Sequence, residues 1–260
     1  MGEGLAQPEG FESYEAIQQW LSTKLGIEAP YKTVHKWVYY RLGASPKVVR
    51  PKSDKQDEAQ LSAYKKLAET LAMLAFFALT VLNWREAVRF FCRGESRFGL
   101  KTLTGRRITA IGVKPVGKVR WTFKATYLYG VVEPATGEHF FYEFTHCNTE
   151  CFQRFLKLVA QQYPESILIL QVDQAGLHKA RRLQVPDNII LMFQPADSPE
   201  CSPIEQVWQY LKKRLRWKCL KTLDELRQLF LEQLLTLTSE TVASITGRAS
   251  ILEALSVARI

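Results

Sequence analysis

Apolar residues at helical spacing define two short predicted helices near the start of the chain. The first covers residues 13–25 and ends at Gly26, a residue type that favours helix C-caps, and the second begins after Pro30 and runs to about residue 42. The positions predicted to face inward are Ile17, Trp20, Leu21 and Leu25 in the first helix and Val34, Trp37, Val38 and Leu42 in the second. Two short helices joined by a tight turn predict a helix-turn-helix segment, with an ordinary helical hairpin as the alternative.

The pattern beyond residue 57 predicts one long helix followed by strands alternating with helices. The helix covers residues 57–83, where the sequence is polar at first and then strongly apolar. The predicted strands cover residues 88–92, 108–113, 121–132, 139–144, 166–172 and 188–193; the later helices begin at Asn148 and cover 202–217, 223–237 and 239–257. This order predicts an α/β fold, an RNase H-like mixed sheet flanked by helices, after a small all-α segment.

Changes in pattern and composition predict five parts of the chain. They are a partial helix-turn-helix DNA-binding segment (11–45), a basic linker (46–57), a connecting helix (58–85), an RNase H-like core (86–220) and C-terminal helices (221–260). The linker contains proline and basic residues, so we expect an extended segment that can follow a DNA backbone, or else a merely solvated one.

Composition narrows the class of protein. The charged share is 23% and the hydrophobic share 47%, both ordinary for a soluble globular protein, and the formal net charge is +9, which favours a polyanionic partner. The five cysteines form no C-x-x-C pair, and the first ten residues do not resemble a secretory leader, so we expect reduced thiols in the cytoplasm. The longest apolar run, residues 71–82, is too short to span a bilayer, so we expect no membrane partner.

Basic residues are concentrated where nucleic acid could bind. Residues 96–132 contain eight lysines and arginines and no acidic residue, whereas a surface shaped only for solubility usually mixes both signs. We call residues 96–132 the one-signed block. The residues predicted to contact DNA are Lys32, Thr33, His35 and Lys36 in the second helix, Arg50 and Lys52 in the linker, Arg97, Arg106 and Arg107 in the one-signed block, and Lys212, Lys213 and Arg216 in the predicted helix 202–217.

Two carboxylates are the candidates for metal-dependent chemistry. Asp173 follows the apolar run 166–172, at the strand end where open α/β sheets bind ligands. It could hold a divalent cation, or it could be an ordinary hydrogen-bonded strand-end residue. Glu205 lies at the start of a predicted helix, where Ser202, Pro203 and Glu205 have the form of a capping box. Capping and metal binding are compatible roles for this side chain.

Three motifs in order resemble the catalytic domain of mariner-like bacterial insertion-sequence transposases, members of the DDE superfamily of endonucleases. They are Glu95-Ser96-Arg97-Phe98-Gly99-Leu100, Val172-Asp173-Gln174 with His178, and Ser198-Pro199-Glu200 with Pro203-Ile204-Glu205 and Trp208. The resemblance implies an RNase H-like core in which three carboxylates hold two Mg²⁺ (or Mn²⁺) ions for in-line attack on a DNA phosphodiester. It also implies double-stranded DNA, the terminal inverted repeats of an element, as partner, a homo-oligomer on that DNA, and a bacterial nucleoid-associated location.

Carried over by position, the resemblance assigns Asp173 and Glu205 as the second and third carboxylates and His178 and Gln174 as supporting residues. The first carboxylate falls on Gly94, which cannot bind metal. Glu95 is a doubtful substitute because adjacent strand residues point to opposite faces. The chain also resembles a truncated, diverged member, with only the second of two helix-turn-helix units. It is therefore either a working metal-dependent transposase or a DNA-binding remnant with impaired catalysis; a module without any DNA role is a third reading.

Overall fold

The computed structural model describes residues 2–7, 10–47, 58–64, 66–82, 87–178, 180 and 183–260. These belong to two compact units, Met1–Lys52 and Ser53–Ile260. Most of the predicted basic linker, including Arg50 and Lys52, lies outside the described residues. Among the described residues, no helix has both the length and the apolar character needed to cross a membrane.

The first unit is a small helical cluster. It contains α1 (Gly2–Ala6), α2 (Tyr14–Leu25) and α3 (Tyr31–Lys36), and α3 continues as a π-helical turn, Trp37–Arg41. The Ser13 hydroxyl caps α2 by accepting from the Ala16 amide at 3.1 Å, and Gly26 ends it with φ 66°, as predicted. The buried residues are Ile17, Leu21, Val34 and Val38.

Three residues predicted to face the core of this cluster are exposed instead. Leu25 is the last residue of α2, where the chain turns away. Trp37 and Leu42 are about half exposed, at 50% and 47%. The π-helical turn explains Leu42, because its wider winding moves the residues after Trp37 off the face that α-helical spacing assigns to them.

The second unit begins with two helices, α4 (Glu58–Tyr64) and α5 (Leu67–Thr80). The prediction of one helix over residues 57–83 is therefore wrong. The backbone of Lys66 has ψ 31°, outside the α-helical range, and this separates the two helices.

Five strands form one mixed sheet in the order β3-β2-β1-β4-β5. Their bounds are β1 Ala87–Gly99, β2 Ala125–Val132, β3 His139–Phe144, β4 Ser166–Val172 and β5 Ile189–Phe193. Strands β1, β2 and β3 pair antiparallel, whereas β1, β4 and β5 pair parallel. The predicted strand over residues 108–113 is wrong, because this segment lies in the long β1–β2 connection and Ile108 and Ile111 are fully exposed.

Helices cover both faces of this sheet. They are α6 (Thr149–Gln162), α7 (Ile204–Arg214), α8 (Leu223–Leu235), α9 (Ser239–Thr246) and α10 (Ala249–Ala258). One core lies between the sheet and α6, and the other between the sheet and a layer containing α5, α7, α8 and α10. Because both faces are covered, every residue of β4 is buried, as its continuous apolar run predicted. The predicted helix over 239–257 is two helices, separated at Gly247, where ψ is 68°.

The strand register opens a cleft at one edge of β1. The β1–β4 pairing ends at Cys92 and Gln171, whereas the β1–β2 pairing continues to Gly99 and Ala125. Strand β4 itself ends one residue later, at Val172. The last half of β1 is therefore not paired with β4. The connections that follow β1 and β4 leave in opposite directions along the sheet, and open α/β sheets bind ligands at such points.

Candidate active site

A cavity of about 390 Å³ lies in this cleft. It brings together the two predicted carboxylates, Asp173 and Glu205, with Gly94 and Glu95 from β1 and with Gln174. Burial raises the pKa of Glu205, and the nearby carboxylates of Glu95 and Asp173 raise it further, against the opposing effect of Lys212. Glu95 and Asp173 are therefore close enough to Glu205 to disfavour its ionised form.

Asp173 is held by hydrogen bonds at the end of β4. Its Oδ1 accepts from the Ala175 amide at 2.8 Å and lies 2.7 Å from Nδ1 of His178. Burial alone would raise the pKa of Asp173, but the hydrogen bonds from His178 and Ala175 outweigh this effect and lower the pKa. The carboxylate is therefore stabilised in its ionised form.

His178 connects Asp173 to a buried arginine. The imidazole is buried, with its ring centroid 4.5 Å from that of Phe152, and its Nε2 contacts Nη1 of Arg93. A guanidinium can only donate, so Nε2 must accept and Nδ1 must carry the proton. That proton points to Asp173, and the predicted supporting residue thus orients the carboxylate.

Arg93 is the site residue that the sequence reasoning missed. Its side chain is 1% exposed, and its Nη1 lies 2.5 Å from Oε2 of Glu95. The guanidinium also lies against the rings of Tyr129 and Phe152, at 4.9 and 4.5 Å from their centroids. The available signal was a charged residue directly after Phe90-Phe91-Cys92 in a buried strand, because such a charge requires partners.

Gly94 lies on the face of β1 that packs against helix α7. A Cβ atom at this position would be 2.7 Å from Cγ2 of Ile204 and 3.1 Å from Nε1 of Trp208. Gly130 is its cross-strand partner, and a Cβ there would be 2.9 Å from Cη2 of Trp208. The Trp208 indole therefore occupies a groove formed by two facing glycines.

Glu95 points away from Gly94, as strand alternation predicts, because its carboxylate pairs with Arg93 on the α6 side. It nevertheless lines the same cavity as Asp173 and Glu205, since β1 has already separated from β4 at this point.

Glu205 is in the first turn of α7, but the predicted capping box is wrong. Helix α7 begins at Ile204 with Pro203 as its N-cap, and no side chain in the described part of the protein caps it. Ser202 follows the 3₁₀ turn Pro199–Cys201, and its carbonyl accepts from the Glu205 amide at 3.3 Å.

A buried polar network attaches that turn to the sheet. Gln171 of β4 donates to the Cys201 carbonyl at 2.9 Å and to Oε1 of Gln194 at 2.7 Å. The Tyr64 hydroxyl donates to Oε1 of Gln171 at 2.9 Å. These contacts fix the chain just before α7 and so help to set the position of Glu205.

The donor set falls short of a three-carboxylate metal site. Two predicted ligands line the cavity, but Gly94 offers no side-chain oxygen and Glu95 is paired with Arg93. Across the described ranges, no group of three His, Cys, Asp or Glu side chains could hold a metal ion. The side chains that line this cavity therefore do not fit a two-metal centre.

Most of the predicted DNA-contacting residues that the structure describes are exposed, in both units. In the first unit Lys32 and Lys36 are exposed, Thr33 is half-buried, and His35 stacks on Tyr39 with centroids 5.7 Å apart. In the second unit Arg97, Arg106, Arg107, Lys213 and Arg216 are exposed. Lys212 is half-buried, and burial lowers its pKa despite the opposing charge of Glu205.

The protein has an RNase H-like fold, as predicted. This follows from the order of the strands, the helices on both faces of the sheet and the acidic cleft beside β1 and β4. A family model described as DDE superfamily endonuclease matches residues 89–227, just over half of the chain. The chain therefore belongs to the DDE superfamily endonuclease family, and the predicted relationship is confirmed.

A curated relative is the uncharacterized protein y4pE/y4sA of Sinorhizobium fredii (strain NBRC 101917 / NGR234), which is 39% identical over 87 residues. The match covers 33% of this chain and 64% of that protein, which is less than two thirds of the relative's length.

Solved structures of Mos1 transposase share the fold. The Mos1 paired-end complex with left transposon end has a TM-score of 0.65 at 16% identity, covering 93% of this chain and 73% of that one. The Mos1 mariner paired end complex with Mn has a TM-score of 0.66 at 14% identity, covering 99% and 75%. The corresponding complex with Mg has a TM-score of 0.62 at 15% identity, covering 97% and 78%.

Proposed function

We propose that this chain is a DNA transposase of the DDE type that binds the double-stranded ends of its element. We further propose that its strand cutting and joining are impaired at position 94. The observation that supports this is a cavity in a DDE family member where Asp173 and Glu205 meet a glycine in place of the first carboxylate. Losing one ligand leaves such a centre without the charge needed to hold its cations.

The DNA partner is inferred from the family and from the basic surfaces. Mos1 is described in complex with a transposon end, and this chain has a net charge of +9 with a one-signed block over residues 96–132. Lys212, beside Glu205, would place a cation where a DNA phosphate approaches the cavity. We propose a homo-oligomer on paired ends, in the bacterial cytoplasm at the nucleoid.

Family membership implies a divalent metal, and Mos1 complexes are described with Mn and with Mg. In this chain Asp173 and Glu205 are the proposed ligands, and Mg²⁺ or Mn²⁺ is the proposed ion. The donor set of this cavity does not fit a two-metal centre.

Full transposase activity is the second candidate function. It is favoured by Glu95, whose carboxylate lines the cavity and acts on the pKa of Glu205. In this case Glu95 would replace the first carboxylate, which Gly94 lacks, and its ion pair with Arg93 would have to break.

The two candidate functions predict different rates of nicking when the protein is mixed with a terminal inverted-repeat duplex and Mg²⁺ or Mn²⁺. The proteins to compare are the native chain, Gly94→Asp, Gly94→Asn and Asp173→Ala. Asn matches Asp in size but lacks its charge, so it controls for crowding against Ile204. We expect the native chain to nick no faster than Asp173→Ala, whereas Gly94→Asp should nick the duplex and Gly94→Asn should not.

Native nicking that disappears in Asp173→Ala would instead establish the fully active enzyme. End binding is measured separately by fluorescence anisotropy against a scrambled duplex. If the native chain shows no salt-sensitive binding and no preference for the ends, both candidates are wrong.

A further inference from the structure

Arg93 places a permanent positive charge at the wall of the carboxylate cavity. A guanidinium stays protonated at any physiological pH, and this one is held in position by two aromatic rings and by contacts with Glu95 and His178. Its Nε and Nη2 are buried and have no hydrogen-bond partner among the described residues. The charge is therefore held in one place, with Nη1 paired to Glu95 and the other two guanidinium nitrogens without a hydrogen bond from the described residues.

We propose that Arg93 is a built-in cation that takes the place of a metal ion at this carboxylate cluster. It acts as a positioning residue for Asp173 and Glu95, and it disfavours the binding of divalent cations. The inference deepens the proposed impairment of the same cavity and rests on that proposed function, because Arg93 weakens metal binding at a point separate from Gly94 without abolishing the binding that Gly94→Asp would restore.

Two of the three cavity carboxylates are already engaged through Arg93. Glu95 pairs with it directly at 2.5 Å. Asp173 is reached through His178, because the Arg93 contact to Nε2 forces the His178 proton onto Nδ1, 2.7 Å from Oδ1 of Asp173. A metal ion would have to compete with these contacts for the same oxygens.

Charge adds to this competition. Arg93 lines the same cavity as Asp173 and Glu205, so an incoming divalent cation would be repelled by it. The repulsion is weakly screened because the guanidinium is buried in a medium of lower dielectric than water. A lysine at this position would keep the repulsion, whereas a glutamine would remove it and could still donate to His178.

The test is Mn²⁺ binding by the full chain without DNA, measured as loss of the free-ion electron paramagnetic resonance signal. We expect Arg93→Gln to bind Mn²⁺ at least about tenfold more tightly than the native chain. Arg93→Lys should bind as weakly as the native chain. The double variant Arg93→Gln/Gly94→Asp should bind most tightly, and adding Asp173→Ala should abolish the gain.

Arg93→Gln binding no more tightly than the native chain would overturn the proposal, as would an equal gain in Arg93→Lys. If circular dichroism shows that Arg93→Gln does not fold, Arg93→Met takes its place, because it removes the charge and keeps an unbranched side chain between the two rings. Tighter Mn²⁺ binding by Arg93→Met that Asp173→Ala removes supports the proposal, and binding no tighter than that of the native chain refutes it. Since DNA is absent throughout, failure of end binding would contradict the proposed function without changing these results.

Discussion

At the scale of single residues, the two predicted catalytic carboxylates have opposite electrostatic environments. Hydrogen bonds from His178 and Ala175 lower the pKa of Asp173, whereas burial and neighbouring carboxylates raise the pKa of Glu205. Asp173 is thus stabilised by its surroundings as an anion, and Glu205 is destabilised by them. Such opposed environments are frequent where side chains are placed for function instead of stability.

Replacing Glu205 with Gln should therefore stabilise the protein at neutral pH. The pKa of Glu205 is raised on folding, so its unfavourable contribution is absent below the unfolded pKa and develops as pH rises through the folded pKa. We expect a higher melting temperature than native at pH 7 and no difference near pH 4. Equal melting temperatures at both pH values would show that the charge of Glu205 costs no stability.

Replacing Gly94 with Ala should destabilise the second unit. The added Cβ would be 2.7 Å from Cγ2 of Ile204, so this side chain or the helix that carries it must shift, and overpacking of this kind costs about 1–3 kcal/mol. Gly176→Ala is the matched control, because a Cβ there meets nothing within 4 Å. Urea denaturation of both variants measures the effect; equal stability of the two would show that the glycine groove under Trp208 adapts freely.

At the scale of elements, the sequence predicted β4 at its observed bounds because continuous apolar runs follow directly from burial on both faces. The prediction of a strand over residues 108–113 is wrong, because the alternating apolar residues of this segment lie in an exposed connection and not in a paired strand. The sequence pattern also placed the start of α7 too early, because the preceding 3₁₀ turn depends on tertiary contacts from Gln171.

The same limit applies to the site. Ordered motifs located Asp173, Glu205 and Gly94, but the Arg93–His178 contact joins residues 85 positions apart and left no local pattern. The environment of a carboxylate is set by such distant partners, so it could not be predicted from spacing alone.

Helix α6 supports the site from one face of the sheet, and its N-cap should matter for stability. The Asn148 side chain accepts from the Cys151 amide at 2.9 Å, and Phe152 in the first turn lies against Arg93. We expect Asn148→Ala to lower the free energy of unfolding by about 1 kcal/mol, whereas Asn148→Ser, which can still cap, should lose only a few tenths. Equal losses in guanidinium denaturation would argue against the capping role.

At the scale of the whole molecule, charge is distributed unevenly. The excess of +9 includes the one-signed block of residues 96–132, much of it in the exposed β1–β2 connection. An exposed connection that carries charge of one sign suits a ligand with many negative charges along its length.

Arg106→Ala should make DNA binding less sensitive to salt. Removing the phosphate contact of one basic side chain should make the slope of log affinity against log salt shallower by about 0.9. Lys157→Ala is the control, since this residue is also exposed and basic but lies on α6, outside the block. Anisotropy titrations at several salt concentrations measure both slopes, and an equal decrease for Lys157→Ala would mean that the block has no special role.

The separation of β1 from β4 after Cys92 has a consequence for how the cavity changes under mutation. From Arg93 onward β1 keeps β2 as a strand neighbour, and its pairing with β4 has ended. Alternate main-chain amides of this stretch therefore point towards the cleft, where they can donate to a phosphate oxygen. No side-chain substitution other than proline removes a backbone amide, so these donors remain when the side chains around the cavity change.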